Sequence, residues 1–228
     1  MSDTSPLLVE QIAIGQMQNF TYVVGSRTTR EVALIDPAWS VGRLLDHIET
    51  QELTPTAVLV THYHPDHVGG RMMGMRIEGL SEVLERYGIP IYVHKAEAFG
   101  VARVTGVSEA DLVKVEDGDT LRLGEIEVEF MHTPGHTPGS QCFKVADTLV
   151  SGDTLFIQGC GRVDLPGGDP EQMYASLQRL AALPDTTVLL PGHDYGGGTE
   201  APLATVKAQN PYLRLPDLAS WRRMMGAG

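Results

Sequence analysis

Apolar residues along this chain recur with two different periods, and the switching between them predicts alternating strands and helices. Residues 7–14 are apolar enough for a first strand, and Gly15 punctuates it. Residues 19–24 and 31–35 are two β-rich runs around Gly25-Ser26-Arg27-Thr28-Thr29, a hairpin signature. Pro37 stops the second run, because proline cannot donate to a ladder. From about 41 to 51 the apolar residues Val41, Leu44, Leu45 and Ile48 recur at i, i+3, i+4 and i+7. That spacing predicts a helix with one buried face, with Ser40 as its N-cap and His47 packed beside the face. Thr54-Pro55 breaks the chain before a short apolar run, Ala57-Val58-Leu59-Val60.

The second half repeats the alternation. Residues 71–76 hold three methionines, usable either as core filler or at a substrate mouth, and residues 80–87 read as helix. A strand over 89–94 ends in His94, read as structural, and a short helix starts at 95–99. Residues 109–113 are loop or short helix, 115–121 a strand and an acidic turn, and 125–131 alternate with period two. Strands over 141–145 and 148–150 precede a helix from 170 to about 182, with Asp169 as its cap and Pro170 at its first position. A strand over 187–190 and helical stretches over 202–209 and 217–225 complete the chain. Without a linker or repeat, this describes one α/β or α+β domain over 1–228 with a short C-terminal helical tail.

Composition narrows the function classes. The chain has 228 residues, 29 of them acidic against 17 basic, for a net charge of −12. That balance disfavours nucleic-acid or anionic-membrane partners. No apolar stretch approaches the ~20 residues of a membrane span. Residues 1–6 lack the basic start and apolar core of a secretory signal, so a cytoplasmic location is expected. Cys142 and Cys160 cannot build a disulfide framework.

The chemistry concentrates in Thr61-His62-Tyr63-His64-Pro65-Asp66-His67, three imidazoles and a carboxylate directly after an apolar run. Such density suits zinc or iron rather than calcium or magnesium. Three more runs show the same order of apolar strand, Gly/Pro/Ser/Thr break and ligand-type residue, ending in His136, Asp153 and His193. Breaks of this kind let backbone turn sharply and approach an ion closely. His132 is the weaker neighbour of His136 and is read as supporting or structural. Seven candidates exceed what one tetrahedral zinc needs. Either two metals bind and share an activated water, or one binds and the remaining side chains orient its ligands.

With that set in hand, the sequence resembles the metallo-β-lactamase superfamily. Its His-x-His-x-Asp-His signature is present at 62–67, and His136, Asp153 and His193 follow in order. The resemblance implies an αβ/βα four-layer sandwich, two mixed β-sheets flanked by helices, with the metal site at one edge. Residues 151–162 are similar to the branch holding glyoxalase II and persulfide dioxygenases. Arg162-Val163-Asp164, His193-Asp194-Tyr195 and Asn210-Pro211 are closer to the dioxygenases, as is the short stretch after His193. Residues 71–90 are longer than either branch leads one to expect. The dioxygenase resemblance implies one Fe(II) per chain on His62, His136 and Asp153, which are then the catalytic ligands. His64, Asp66, His67 and His193 would orient them or move protons, and Arg162 and Tyr195 would hold the glutathione moiety. The implied reaction oxidises glutathione persulfide with O2 to sulfite and glutathione, in a monomer or homodimer. The alternative is a glyoxalase II-type thioester hydrolase with two Zn, Fe or Mn ions at the same seven residues.

Overall fold

Successive side chains of a strand point to opposite faces, so a strand apolar on both faces must lie between two packed layers. In the computed structural model, which describes residues 5–226, several strands meet this condition. The elements of the first half are β1 (Leu7–Ile14), β2 (Asn19–Ser26), β3 (Glu31–Ile35), α1 (Val41–Thr50), β4 (Thr54–Leu59), α2 (Pro65–Val68), β5 (Gly70–Met72), β6 (Met75–Ile77), α3 (Leu80–Tyr87), β7 (Ile91–His94), α4 (Ala98–Thr105) and β8 (Leu112–Val115). The second half has β9 (Thr120–Leu123), β10 (Ile126–His132), β11 (Gln141–Val145), β12 (Thr148–Gly152), α5 (Pro170–Ala181), β13 (Val188–Pro191), β14 (Ala201–Pro202), α6 (Leu203–Gln209) and α7 (Leu218–Met224).

Two mixed six-stranded sheets result, in the orders β1-β2-β3-β4-β7-β8 and β14-β13-β12-β11-β10-β9. The alternation sorts side chains into three cores. Val23, Leu34 and Val58 face outward onto α1, α3 and α4, packing with Leu44, Ile48, Val83 and Val101. Val24, Ile35 and Leu59, one position along, face inward and meet Phe130, Phe143, Val150 and Leu190 of the other sheet. Leu149 and Leu189 point the other way, onto Met173, Leu177, Val206 and Trp221 of α5, α6 and α7. Helix, sheet, sheet, helix is the expected four-layer sandwich.

The departures from the sequence reading are local. The segment 71–76 pairs as the β5–β6 hairpin, and 115–121 splits into the end of β8 and the start of β9. Ser40 occupies the cap position of α1 without bonding through its side chain; Glu78 Oε2 accepts from the Val41 N–H instead. Asp169 caps α5 as expected, accepting from the N–H groups of Glu171 and Gln172. No helix among the described residues is long and apolar enough to cross a membrane.

Candidate metal centre

All seven sequence candidates sit in loops that leave strands at one edge of the sandwich. His62, His64, Asp66 and His67 follow β4, the last two on the single turn of α2. His136 lies between β10 and β11, Asp153 directly after β12 and His193 just after β13. β3 and β4 run parallel, as do β12 and β13, so their carboxyl ends open onto a common crevice where ligands characteristically bind. Close approach requires glycine at two points. A Cβ on Gly152, whose φ is +49°, would lie 2.6 Å from the Thr61 side chain, and one on Gly192 would lie 2.6 Å from Asp153 Oδ1.

The hydrogen bonds fix which nitrogen faces inward in His62, His67, His136 and His193. His136 Nδ1 donates to the Arg162 carbonyl at 2.7 Å, and His193 Nδ1 donates to the Met17 carbonyl at 2.8 Å. His67 Nδ1 donates to Asp36 Oδ2 at 2.9 Å. Thr61 Oγ1 gives its proton to Asp36 Oδ2 and so accepts from His62 Nδ1 at 3.0 Å. In the neutral rings the inward Nε2 atoms therefore carry lone pairs. They nevertheless crowd together. His64 Nδ1 stands 3.1 Å from His62 Nε2 and 3.0 Å from His136 Nε2, while His67 and His193 bring their Nε2 atoms to 3.1 Å. Such contacts are held either by a proton shared between two rings or by a cation shared among them. Ligands ~2.0–2.1 Å from one tetrahedral metal stand ~3.3 Å apart, close to what is seen.

Asp36, His62 and His67 form one further possible group, and six of the seven candidates fall into two clusters, His62–His64–His136 and Asp66–His67–His193. Asp153 lies between them. Its Oδ2 is 3.6 Å from His136 Nε2, and its Oδ1 is 3.3 Å from both His67 Nε2 and His193 Nε2. That Oδ1 is buried without a well-formed hydrogen bond, as a metal-seeking oxygen would be. The residues present therefore fit a metal.

Burial depresses the His62 basicity, reinforced by neighbouring His67, and burial likewise brings His64 down to about 4. For His67 burial acts in the same direction, but Asp153, Asp66 and its hydrogen bonds outweigh it and raise the ring's basicity. The counterpart is Asp153, where burial is overcome by His67 and His193 and the carboxyl is held well below its ordinary range.

His64, Asp66, His136 and Asp153 open into a cavity of about 580 Å³, whose mouth includes Met72, Met73, Phe156, Leu165, Arg162 and Tyr195. Met72 and Met73 of the β5–β6 hairpin thus stand at the mouth rather than in the core. Tyr195 stacks on His193 with ring centroids 4.5 Å apart. Arg162 is exposed and forks onto Asp164, with contacts of 3.0 and 2.7 Å. His94 and His132 stand apart from the donors and stack on each other at 3.8 Å.

Sequence reasoning missed two supporting residues. Asp36, read only as part of a strand stop, sits at a left-handed φ of +50° and binds the Thr61 N–H and hydroxyl together with His67. Backbone strain of this kind gathers at functional sites. Asn19, read as a strand start, donates to the Asp66 carboxylate at 3.0 Å. The available signal for Asp36 was a carboxylate at the carboxyl end of a buried run.

A fold of two mixed sheets between helices, with seven donors at one edge, defines a metallohydrolase-type class. The chain belongs to the metallo-β-lactamase superfamily, whose signature matches residues 14–193. It is 36% identical to a hydroxyacylglutathione hydrolase of Pectobacterium atrosepticum, over 81% of this chain and 65% of that protein. It is 32% identical to the mitochondrial persulfide dioxygenase ETHE1 of Homo sapiens, over 92% of this chain and 78% of that one. Among solved structures, ETHE1 from Myxococcus xanthus superposes with a TM-score of 0.80 at 32% identity, covering 96% of this chain and 90% of the other. Family, fold and His/Asp cluster together make this a metal-binding member with both dioxygenase and hydrolase relatives.

Proposed function

We propose that the chain is a non-haem iron persulfide dioxygenase of a single domain, with one Fe(II) held by His62, His136 and Asp153. The substrate would be glutathione persulfide or a related low-molecular-weight persulfide. In the overall reaction the persulfide, O2 and water give the free thiol and sulfite, the terminal sulfur being oxidised and O2 reduced. The observation that carries this reading is that two imidazoles and one carboxylate, from three separate loops, converge beside an open cavity. Bound iron would supply adjacent open positions for the persulfide sulfur and O2.

The chain's own residues prepare that site. The Arg162 carbonyl and Thr61 hydroxyl fix the tautomers of His136 and His62, leaving each Nε2 free. Met72, Met73, Phe156 and Leu165 give the mouth apolar groups that suit a polarisable sulfur. Arg162 can exchange Asp164 for a substrate carboxylate, since an exposed pair is held by little energy. Tyr195, stacked on His193, would bind the remainder of the thiol.

A second reading, a two-metal thioester hydrolase, is favoured by one observation. His64 Nδ1 stands among the first donors, and Asp66, His67 and His193 form a complete second set. Two metals there would generate a hydroxide nucleophile. Protein from iron-supplemented cells decides between them. One iron per chain and oxygen uptake on adding glutathione persulfide support the dioxygenase. Two zincs per chain and turnover of S-lactoylglutathione without oxygen consumption would overturn it.

A further inference from the structure

Glu97 belongs to none of the donor clusters, yet it is 1% exposed and lies immediately before α4. Among the described residues no cation pairs with it; its partners are backbone N–H groups and a hydroxyl. Oε2 accepts from the Tyr63 N–H at 2.8 Å, and Oε1 accepts from the Gly139 N–H at 2.7 Å. Tyr63 lies between His62 and His64, and Gly139 lies on the loop carrying His136. One carboxylate thus bridges the backbones of the two loops that supply the first three imidazoles. The packing is tight on both sides. A Cβ on Gly139 would lie 2.6 Å from Glu97 Cγ, and one on Gly100 would lie 2.8 Å from the Tyr63 ring.

We propose that Glu97 is a positioning residue that clamps the His62–His64 loop to the His136 loop and so sets the metal affinity of that cluster. The inference rests on the reading of these histidines as metal donors and on nothing about the reaction. A carboxylate fits because it presents two acceptor oxygens and no donor, matching two N–H groups on opposite sides. An amide offers one acceptor and turns its NH2 onto the other N–H. Burying a carboxylate is costly, and burial accordingly raises the Glu97 pKa while the N–H groups of Gly139 and Tyr63 and the Thr137 hydroxyl oppose it. Loop placement is what this arrangement secures, since the His62 and His136 nitrogens come from the two bridged loops and must meet within a few tenths of an ångström to share one ion.

The test compares Glu97→Gln, Glu97→Asp and a remote core control, Leu177→Ala, in the full chain. Zn²⁺ affinity is measured by competition with a chromophoric chelator, without substrate. Amide hydrogen exchange is followed at Tyr63 and Gly139. Glu97→Gln should weaken Zn²⁺ binding about 10–100-fold, the range for residues that orient metal ligands. Exchange should speed up at Tyr63 or Gly139, Glu97→Asp should recover part of the affinity, and Leu177→Ala should keep it despite lower stability. Wild-type affinity in Glu97→Gln, or an equal loss in Leu177→Ala, would overturn the clamp alone. A wild-type chain that binds no Zn²⁺ would overturn the metal reading along with it.

Discussion

At the scale of single residues, the decisive fact is that four imidazoles of the centre have one nitrogen already committed. Thr61, Asp36, Arg162 and Met17 take the outer protons of His62, His67, His136 and His193. Asp153 is placed to serve either cluster, so removing it should be the more damaging change. Asp153→Ala should abolish iron retention after desalting, whereas His193→Ala should still hold iron if the centre is mononuclear. Loss of iron from both variants, read by elemental analysis, would make His193 a ligand and favour the two-metal reading. The donors were visible in the sequence because their residue types are rare at such density. Asp36, Asn19 and Glu97 were not, since a carboxylate or amide becomes a support only once the fold buries it against a particular N–H or ring.

Among elements, the caps show how local chemistry and tertiary contacts compete. Asp169 and Pro170 open α5 as their types dictate, and the Asp169 side chain satisfies two otherwise orphaned N–H groups. Asp169→Ala should cost about 1 kcal/mol, seen as a lower urea midpoint with unchanged slope. Ser40→Ala should leave the midpoint within about 0.5 kcal/mol, the range for surface changes that break no such feature. There the Val41 N–H is satisfied by Glu78 from 37 residues away. The β5–β6 hairpin was illegible for a related reason. Its turn places Met73 and Gly74 at φ +51° and +81°, a conformation usually signalled by Asn-Gly. Met-Gly carries no such signal, and the pairing follows from where the chain must go after the donor loop.

At the scale of the molecule, the sandwich supports an edge that crowds nitrogen and carboxylate donors together in a form suited to a cation. Metal binding to the folded chain but not the unfolded one stabilises by about 2.7 kcal/mol at 100 times its dissociation constant. For a chain of this length, that corresponds to roughly 5–10 °C in Tm. Dialysis against a strong chelator should therefore lower Tm by about that amount, and returning the metal should restore it. A Tm indifferent to both steps would argue against a resident ion. The three cores are separate enough that this loss should act on the edge loops first.

The sequence by itself determined the alternation of strands and helices and the donor set, while the four layers were only implied by its resemblance to a family. Continuous apolar runs such as 32–35 and 57–60 mark buried strands, and the repeated order of strand, break and ligand residue names four loops. Only the tertiary structure decided how those donors group. His67 meets His193 across 126 positions, and His64 turns toward His62 and His136 rather than toward its other near neighbours, Asp66 and His67. The physical reason is one of range. Periodicity reports which face of an element is buried, whereas a ligand cluster depends on approaches of about 3 Å between loops. Those approaches are set by the order β3-β4 in one sheet and β13-β12-β11 in the other, and by buried groups such as Asp36 and Glu97 that tie the loops together.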